Sequence, residues 1–160
     1  MDFTTTIVAV VIVLLCILPI FLMNESRRRR ERRGKAMLQE LAKENNASLA
    51  HFYAAQHYML GISEDKQWLF FARLAEKNNF SRTAFNLNNY TRCSVEHDEH
   101  QEGPKSDRST IIDQVRLFLS PKQGIEPAQL VLFDAVADQQ THSDELRIAE
   151  EWQRIISNCL

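Results

Sequence analysis

An uninterrupted apolar segment near the N-terminus constrains this chain more than any other feature of its sequence. Residues Ile7–Met23 read IVAVVIVLLCILPIFLM and carry no polar side chain. With Thr4–Thr6 the segment is twenty residues long, and twenty helical residues span the roughly 30 Å hydrocarbon core of a bilayer. We therefore expect residues 4–23 to cross a membrane lipid bilayer as a transmembrane helix, within an anchor that covers residues 1–24.

A cleaved signal peptide is the alternative interpretation of this segment. Such a peptide has a basic start, a shorter apolar stretch and a small-x-small cleavage site. Here Asp2 is the single charged residue before the apolar run, and the residues after Met23 read NESRRRRERR. This order favours an uncleaved anchor that is followed by a stop-transfer sequence.

Six arginines follow the apolar segment and none precedes it: Arg27, Arg28, Arg29, Arg30, Arg32 and Arg33. Because basic residues resist translocation, they keep their side of a short membrane protein in the cytoplasm. We expect a single-pass protein of the inner (plasma) membrane, with the N-terminus outside and the C-terminal domain in the cytoplasm. At this position the arginines also lie near anionic lipid headgroups. Each basic residue near the membrane surface contributes roughly 1 kcal/mol of binding free energy.

The net charge of −2 combines two regions of opposite sign. Residues 1–35 carry seven basic and three acidic side chains, for a charge of +4, whereas residues 36–160 carry 12 basic and 18 acidic side chains, for a charge of −6. A nucleic-acid-binding arm is normally backed by a basic domain. The acidic domain behind this arginine block therefore argues against a nucleic acid partner.

Helical spacing of apolar residues returns directly after the arginines. Met37, Leu38, Leu41 and Ala42 recur at intervals of three and four, with charged residues between them. The pattern predicts a short juxtamembrane helix over residues 35–45. Together with the arginines it forms a basic neck over residues 25–46.

Residues 47–160 are predicted to form one α+β domain. Apolar runs and alternating patterns predict five or six strands, at residues 49–53, 57–62, 67–74, 87–98, 111–120 and 128–133. Polar segments at 63–66, 78–82, 99–109 and 121–127 are interpreted as turns or loops. A final apolar stripe, Leu146, Ala149, Trp152 and Ile156, predicts an amphipathic helix. We expect a mostly antiparallel, curved β-sheet or partial barrel that this C-terminal helix closes.

Five stretches of the soluble part carry a family resemblance: LGISEDKQWLFFARL, NLNNYTRCSVEHD, IIDQVRLFLS, AQLVLFDAVAD and ELRIAEEWQRII. Their order resembles a pleckstrin-homology-like module, and the whole chain is similar to small uncharacterised bacterial single-pass membrane proteins with such a cytoplasmic domain. The resemblance implies a curved barrel of seven strands, plugged at one end by the C-terminal helix. It does not extend to the phosphoinositide pocket of some such modules, because the turn Ser63-Glu64-Asp65-Lys66 carries two acids and one lysine.

The sequence contains no catalytic signature that we recognise. Its glycines are scattered singly, so no phosphate-binding loop is present, and neither GxSxG nor HExxH occurs. We predict that the protein is not an enzyme and needs no cofactor.

Cys93, His97, Asp98 and His100 form the one metal-like cluster of the sequence. On a strand, residues 93 and 97 share one face while 98 and 100 share the other, so the four converge only if the strand ends near Glu96. We favour a strand that runs into a solvated loop. A metal-dependent enzyme or sensor that uses Cys93, His97 and His100 remains the alternative.

Two histidines, His51 and His57, flank an aromatic segment that contains Phe52, Tyr53 and Tyr58. They could line a pocket, although partly buried histidines with structural roles are the commoner outcome. In the absence of catalytic motifs, the sequence favours a membrane-anchored interaction or accessory module. We expect it to bind a protein partner or a membrane complex, and an exposed strand edge would serve this purpose.

Overall fold

The computed structural model describes residues 25, 28, 29, 31–75, 79–102, 109–138 and 144–160. The predicted transmembrane helix at residues 4–23 lies outside these residues, so it stays a prediction. Among the helices of the described residues, none combines the length and the apolar character that crossing a bilayer requires.

The described chain contains a helix, seven strands and two further helices, in that order. Helix α1 covers residues 31–44, and Glu25, Arg28 and Arg29 are also helical. The strands are β1 (Leu49–Ala54), β2 (Tyr58–Ser63), β3 (Trp68–Leu74), β4 (Phe80–Asn86), β5 (Tyr90–Glu102), β6 (Ser109–Pro121) and β7 (Ala128–Asp134). A 3-10 turn at Leu87–Asn89 separates β4 from β5, and the chain continues into α2 (Ala135–Asp138) and α3 (Glu145–Ser157).

The seven strands form two antiparallel sheets. The first has the order β1-β2-β3-β4 and the second the order β5-β6-β7. This confirms the predicted α+β class, the antiparallel arrangement and the C-terminal helix. In the described part of the chain the strands do not close into a barrel, since no hydrogen-bonded pairing joins the two sheets.

Strand β4 was not predicted, because residues 78–82 look polar and turn-like. Its middle residues are exposed and its apolar side chains point to both faces: Phe80 and Ala84 face α1, whereas Phe85 packs in the opposite core. An edge strand with this distribution has no alternating pattern. Backbone pairing with β3, from Trp68↔Asn86 to Leu74↔Phe80, defines it instead.

The predicted loop at 99–109 is also shorter than expected. Strand β5 continues to Glu102 and β6 begins at Ser109, with pairing as far as Glu102↔Ser109. Strand β7 pairs with β6 only between Gln114 and Leu119. Residues 109–113 of β6 therefore lie outside the pairing with β7 and form a two-stranded ribbon with the end of β5. Residues 99–102 of β5 are polar, so the sequence pattern does not predict this part of the strand.

The main hydrophobic core lies between the two sheets and α3. Its fully buried members include residues from both sheets and from the last helix: Leu60, Leu69, Leu117, Leu119, Leu130, Ala149 and Ile156. The apolar stripe of α3 predicted from the sequence, Ala149, Trp152 and Ile156, is buried here, and Leu146 is half-buried against it.

A second core lies on the opposite face of the first sheet, where α1 packs against it. Leu38, Leu41 and Ala42 of α1 are buried together with Met59 of β2 and Phe70 of β3. Strand β2 is consequently buried on both faces along its whole length. This explains why residues 58–62 and 69–72 carry no alternating polar positions.

Two glycines allow the close approach of α1 to the sheet. A Cβ atom on Gly61 of β2 would lie 2.7 Å from Leu49 Cδ1 and 3.2 Å from Leu38 Cδ1. A Cβ atom on Gly34 of α1 would lie 2.9 Å from the sulfur of Met59. A larger residue at either position would therefore displace the neighbouring side chains, Leu49 and Leu38 at Gly61 and Met59 at Gly34, from their present packing.

We predict that Gly61→Val lowers the free energy of unfolding by about 2 kcal/mol, the usual cost of overpacking a filled core. Urea unfolding of the full chain in detergent, followed by tryptophan fluorescence, would measure this. Ser81→Val adds volume at an exposed position of β4 and serves as the control, with an expected change within about 0.5 kcal/mol. Equal stability of the two variants would contradict the close packing of α1.

Candidate functional site

The predicted basic neck lies partly within the described residues. Four of its arginines are described, and all are exposed: Arg28, Arg29, Arg32 and Arg33. Arg27 and Arg30 lie outside the described part of the chain. The first buried residue of α1 is Gly34, so the arginines precede the part of α1 that contacts the sheet.

The two flanks of α1 differ in charge. On the flank beside β4, Glu40 forms an ion pair with Arg82, with 3.2 Å between Arg82 Nη1 and Glu40 Oε2. On the flank beside β1, Lys35 places its ammonium nitrogen 5.5 Å from the ring centroid of Phe52. Lys43 follows two helical turns later on the same flank and is exposed.

A cavity of about 310 Å³ lies between the C-terminal half of α1, the start of β1 and the end of β2. It is lined by Gln39, Lys43, Ala47, Ser48, Leu49 and Glu64. Gln39 and Lys43 belong to the same flank of α1 as Lys35. The cavity is therefore continuous with the surface on which α1 runs beside β1.

Strand β1 is an edge strand with an unprotected sequence. Natural proteins usually guard sheet edges with charged residues or proline. The sequence of β1, LAHFYA, contains none of these, whereas β4 carries Arg82 and β5 carries Arg92 and Glu96. A register shift near Ala50 leaves His51–Ala54 as the regular part of the edge.

The backbone groups of Phe52 and Ala54 point away from β2. Ala55 N donates to Tyr58 O, and residues along an antiparallel pair alternate between bonding to the partner and facing outward. Tyr53 and His51 therefore bond to β2, while Phe52 and Ala54 direct both N–H and C=O outward. Within the described residues β1 pairs with β2 alone, so these groups are open to a further strand.

The edges of the second sheet are occupied by side chains at two carbonyl groups. Arg73 Nη1 donates to Val131 O of β7 at 2.8 Å, and Gln153 Nε2 donates to Cys93 O of β5 at 3.2 Å. Of the edge strands that the structure describes, β1 thus combines the absence of charged residues with open backbone groups.

A buried ion pair joins α2 to the first sheet. Arg73 Nη2 donates to both carboxylate oxygens of Asp138, at 3.0 and 3.2 Å, and the Asp134 amide donates to Asp138 Oδ2 at 3.0 Å. The Asp138 side chain is only 7% exposed. These hydrogen bonds hold α2 against β3. No sequence pattern indicates this pair, because its members are 65 residues apart.

His57 and Tyr58 lie beside this ion pair. His57 Nδ1 is 3.7 Å from Asp138 Oδ1, while His57 Nε2 and the Tyr58 hydroxyl are buried without a hydrogen-bond partner among the described residues. Burial, followed by the neighbouring Tyr53 and Glu145, raises the pKa of the Tyr58 hydroxyl. His51 is exposed on β1, so the two histidines do not line one pocket.

The metal-like cluster follows the course of β5. Cys93 is 2% exposed in the main core, and burial raises the pKa of its thiol to about 12. His97 lies four residues further along the strand, about 13 Å away at the usual strand rise, and is exposed. These two side chains cannot share one metal ion. The side chain of His100 is not among those that the structure describes. Among the described residues, no group of three His, Cys, Asp or Glu side chains is placed to hold a metal ion.

Comparisons of the chain with protein-family models, with curated proteins and with solved structures give no match. The functional interpretation therefore depends on the residues and their geometry.

We predict that Asp138→Ala lowers the free energy of unfolding by about 3 kcal/mol, because it leaves the buried Arg73 guanidinium without its partner. The surface pair of Arg116 and Asp98 provides a control, since the Asp98 side chain is 57% exposed. Asp98→Ala should change the stability by less than about 1 kcal/mol. Denaturant unfolding of both variants measures the difference, and similar losses would show that the Asp138 pair is not a buried support.

We predict an acid-dependent loss of stability that involves Asp134. The Ala137 amide, followed by the Gln114 side chain and the Val136 amide, lowers the pKa of the Asp134 carboxyl below its ordinary 3.8. A lowered pKa in the folded state stabilises the fold above pH 3.8, and this contribution is lost as the pH falls below that value.

In Asp134→Asn, stability should therefore fall less steeply between about pH 5 and pH 3 than in the original chain. Denaturant midpoints at a series of pH values would show the difference. The exposed Glu126, changed to Gln, serves as the matched control. Parallel pH profiles for the original chain and Asp134→Asn would refute the role of this carboxylate.

Proposed function

We propose that this protein is a membrane-anchored interaction module without catalytic activity. Residues 4–23 cross the inner membrane, Arg27–Arg33 contact anionic headgroups on the cytoplasmic side, and a pleckstrin-homology-like cytoplasmic domain binds a protein partner. The alternative of a metal-dependent enzyme or sensor gains no support from the positions of Cys93 and His97, which lie far apart on β5.

The observation that carries this proposal is the position of α1. Its exposed arginines lie before Gly34, and the residues after Gly34 are buried against β2 and β3. A helix that is packed in this way fixes the exposed Arg32 and Arg33 relative to the first sheet. Such a connection suits a module that presents one surface at a fixed place beside the membrane.

The strand count supports the resemblance to the pleckstrin-homology-like module. Seven strands, divided into four and three and followed by a C-terminal helix, agree with the number of strands in that module. The turn between β2 and β3 does not suit a phosphorylated headgroup. The Ser63 hydroxyl, followed by the Gln67 amide, lowers the pKa of the exposed Asp65 carboxyl, which keeps its negative charge.

The open edge of β1 supports a protein partner. An extended peptide can add to a sheet edge, where main-chain hydrogen bonds give affinity and alternating side chains give specificity. Phe52 and Ala54 offer the required outward N–H and C=O groups. The edge lies beside α1, so its position relative to the membrane follows from the anchor.

We predict that the full chain, expressed with a C-terminal reporter, stays in the membrane pellet after alkaline carbonate extraction and shows a cytoplasmic reporter. Changing all six arginines of Arg27–Arg33 to Gln should give mixed orientations, because the basic side of the membrane segment is then lost. Replacement of Arg92, Arg147 and Arg154, which are exposed on β5 and α3, should leave the orientation unchanged.

Release of the chain by carbonate, or a reporter on the outer side, would contradict the anchor. The interaction role is tested by affinity purification from native membranes in mild detergent. A second protein in a fixed ratio is the expected result. Recovery of the chain alone at stoichiometric purity would count against a partner.

A further inference from the structure

We propose that the groove between β1 and α1 binds an acidic, extended segment of the partner protein. The segment adds as a strand to β1 and directs alternate carboxylates toward Lys35 and Lys43. This inference rests on the proposed function and assigns both the surface and the chemistry of the partner.

The first step of the argument is the direction of side chains along the edge. Phe52 and Ala54 share the face of β1 that points toward α1, and they pack against the second core. Residues opposite them on an added strand would share that face, because neighbouring positions on adjacent strands point the same way. Alternate side chains of the added segment would therefore lie beside the flank of α1.

The second step is the charge of that flank. Helical spacing places Arg32, Lys35, Gln39 and Lys43 along one side of α1. In the described part of the chain neither Lys35 nor Lys43 forms an ion pair, whereas Glu40 on the other flank is paired with Arg82. Lys35 and Lys43 thus offer cationic groups to the side chains of an added strand, while Glu64 is the acidic residue that lines the cavity together with Lys43. The carboxylates of the added segment are therefore expected at the two lysines and not at the Glu64 end of the cavity.

The third step is the shape of the groove. Lys35 lies over Phe52, and Gln39 and Lys43 line the cavity beside Leu49, so α1 follows β1 along its length. The cavity of about 310 Å³ lies at the end of the groove near Ser48 and Glu64. It has room for a side chain at one end of an added segment, while the lysines fix the charge of the segment.

A second copy of the chain fits this groove less well than an acidic segment. Strand β1 contains no acidic residue, so pairing two copies through β1 brings no carboxylate to Lys35. Such pairing would also bring the basic flank of α1 in one copy close to the same flank in the other copy, where like charges repel. Charge complementarity therefore selects a partner segment of opposite sign.

The test uses the full chain in nanodiscs of neutral phosphatidylcholine and a fluorescent peptide in which Glu and Val alternate. Binding is measured by fluorescence anisotropy, and a peptide in which Lys and Val alternate provides the charge comparison. We expect the acidic peptide to bind and the basic peptide not to bind. The double variant Lys35→Glu, Lys43→Glu should weaken acidic-peptide binding by about tenfold or more.

Two matched controls separate the groove from general effects. The double variant Arg92→Glu, Arg154→Glu makes the same change in net charge at exposed positions on β5 and α3, and it should bind as the original chain does. Ala54→Pro removes an outward amide of β1 and should abolish binding. Ala84→Pro removes the corresponding outward amide of β4, on the opposite edge of the same sheet, and should retain binding.

Each other outcome overturns the proposal. These outcomes are no binding of the acidic peptide by the original chain, equal binding of the two peptides, and an equal loss of acidic-peptide binding in a variant and its matched control. A dimer that Ala54→Pro dissociates, without peptide binding, would identify a second copy as the occupant. If the acidic peptide does not bind, while the chain resists carbonate extraction and co-purifies with a partner, the proposed function stands and only this inference is refuted.

Discussion

The contact between α1 and the first sheet is the interaction on which the rest of the structure depends. Without it, Met59, Phe70 and Ala72 would face water, although burial of a large apolar side chain contributes about 1.5–3 kcal/mol. Gly34 and Gly61 leave room in this contact for the side chains of Met59, Leu38 and Leu49. It also connects the arginine-bearing end of α1 to the centre of the fold.

Because β2 and β3 lie inside the first sheet, with order β1-β2-β3-β4, a further strand can join this sheet only at β1 or β4. The edges differ in how they are protected. The Arg73 guanidinium balances the charge of Asp138 and also donates to one carbonyl of β7, so a single side chain contacts both α2 and β7. With Arg82 on β4 and charged residues along β5, strand addition is directed toward β1.

Much of the fold follows from local patterns, and the remainder depends on contacts between distant residues. The apolar runs of β2, β3 and β7 and the stripe of α3 are visible because these segments are buried. Strand β4 and the ribbon end of β5 are not visible, since backbone pairing and not burial defines them. The division into two sheets cannot be read from periodicity, which reports burial but not pairing.

The candidate site shows the same limit. The sequence identifies Lys35 and Lys43 as polar positions of a helix, but only the packed structure places them beside a strand edge. The expectation of an exposed edge belongs to the predicted partial barrel, whereas the choice of β1 requires the alternation of its backbone hydrogen bonds. Cys93 and His97 attract attention in the sequence, yet the continuous course of β5 separates them.

The packing of α1 also determines where the domain could be separated from the proposed anchor. A fragment that began after α1 would expose the apolar face of β2 and β3 that α1 covers. Cleavage at the start of β1 would therefore give an unstable, aggregation-prone product. A protease that released an intact domain would have to cut before Gly34, among the exposed arginines. Such sites suit trypsin-like enzymes, and the released domain would keep Lys35, Lys43 and the open edge of β1 after separation from the proposed anchor.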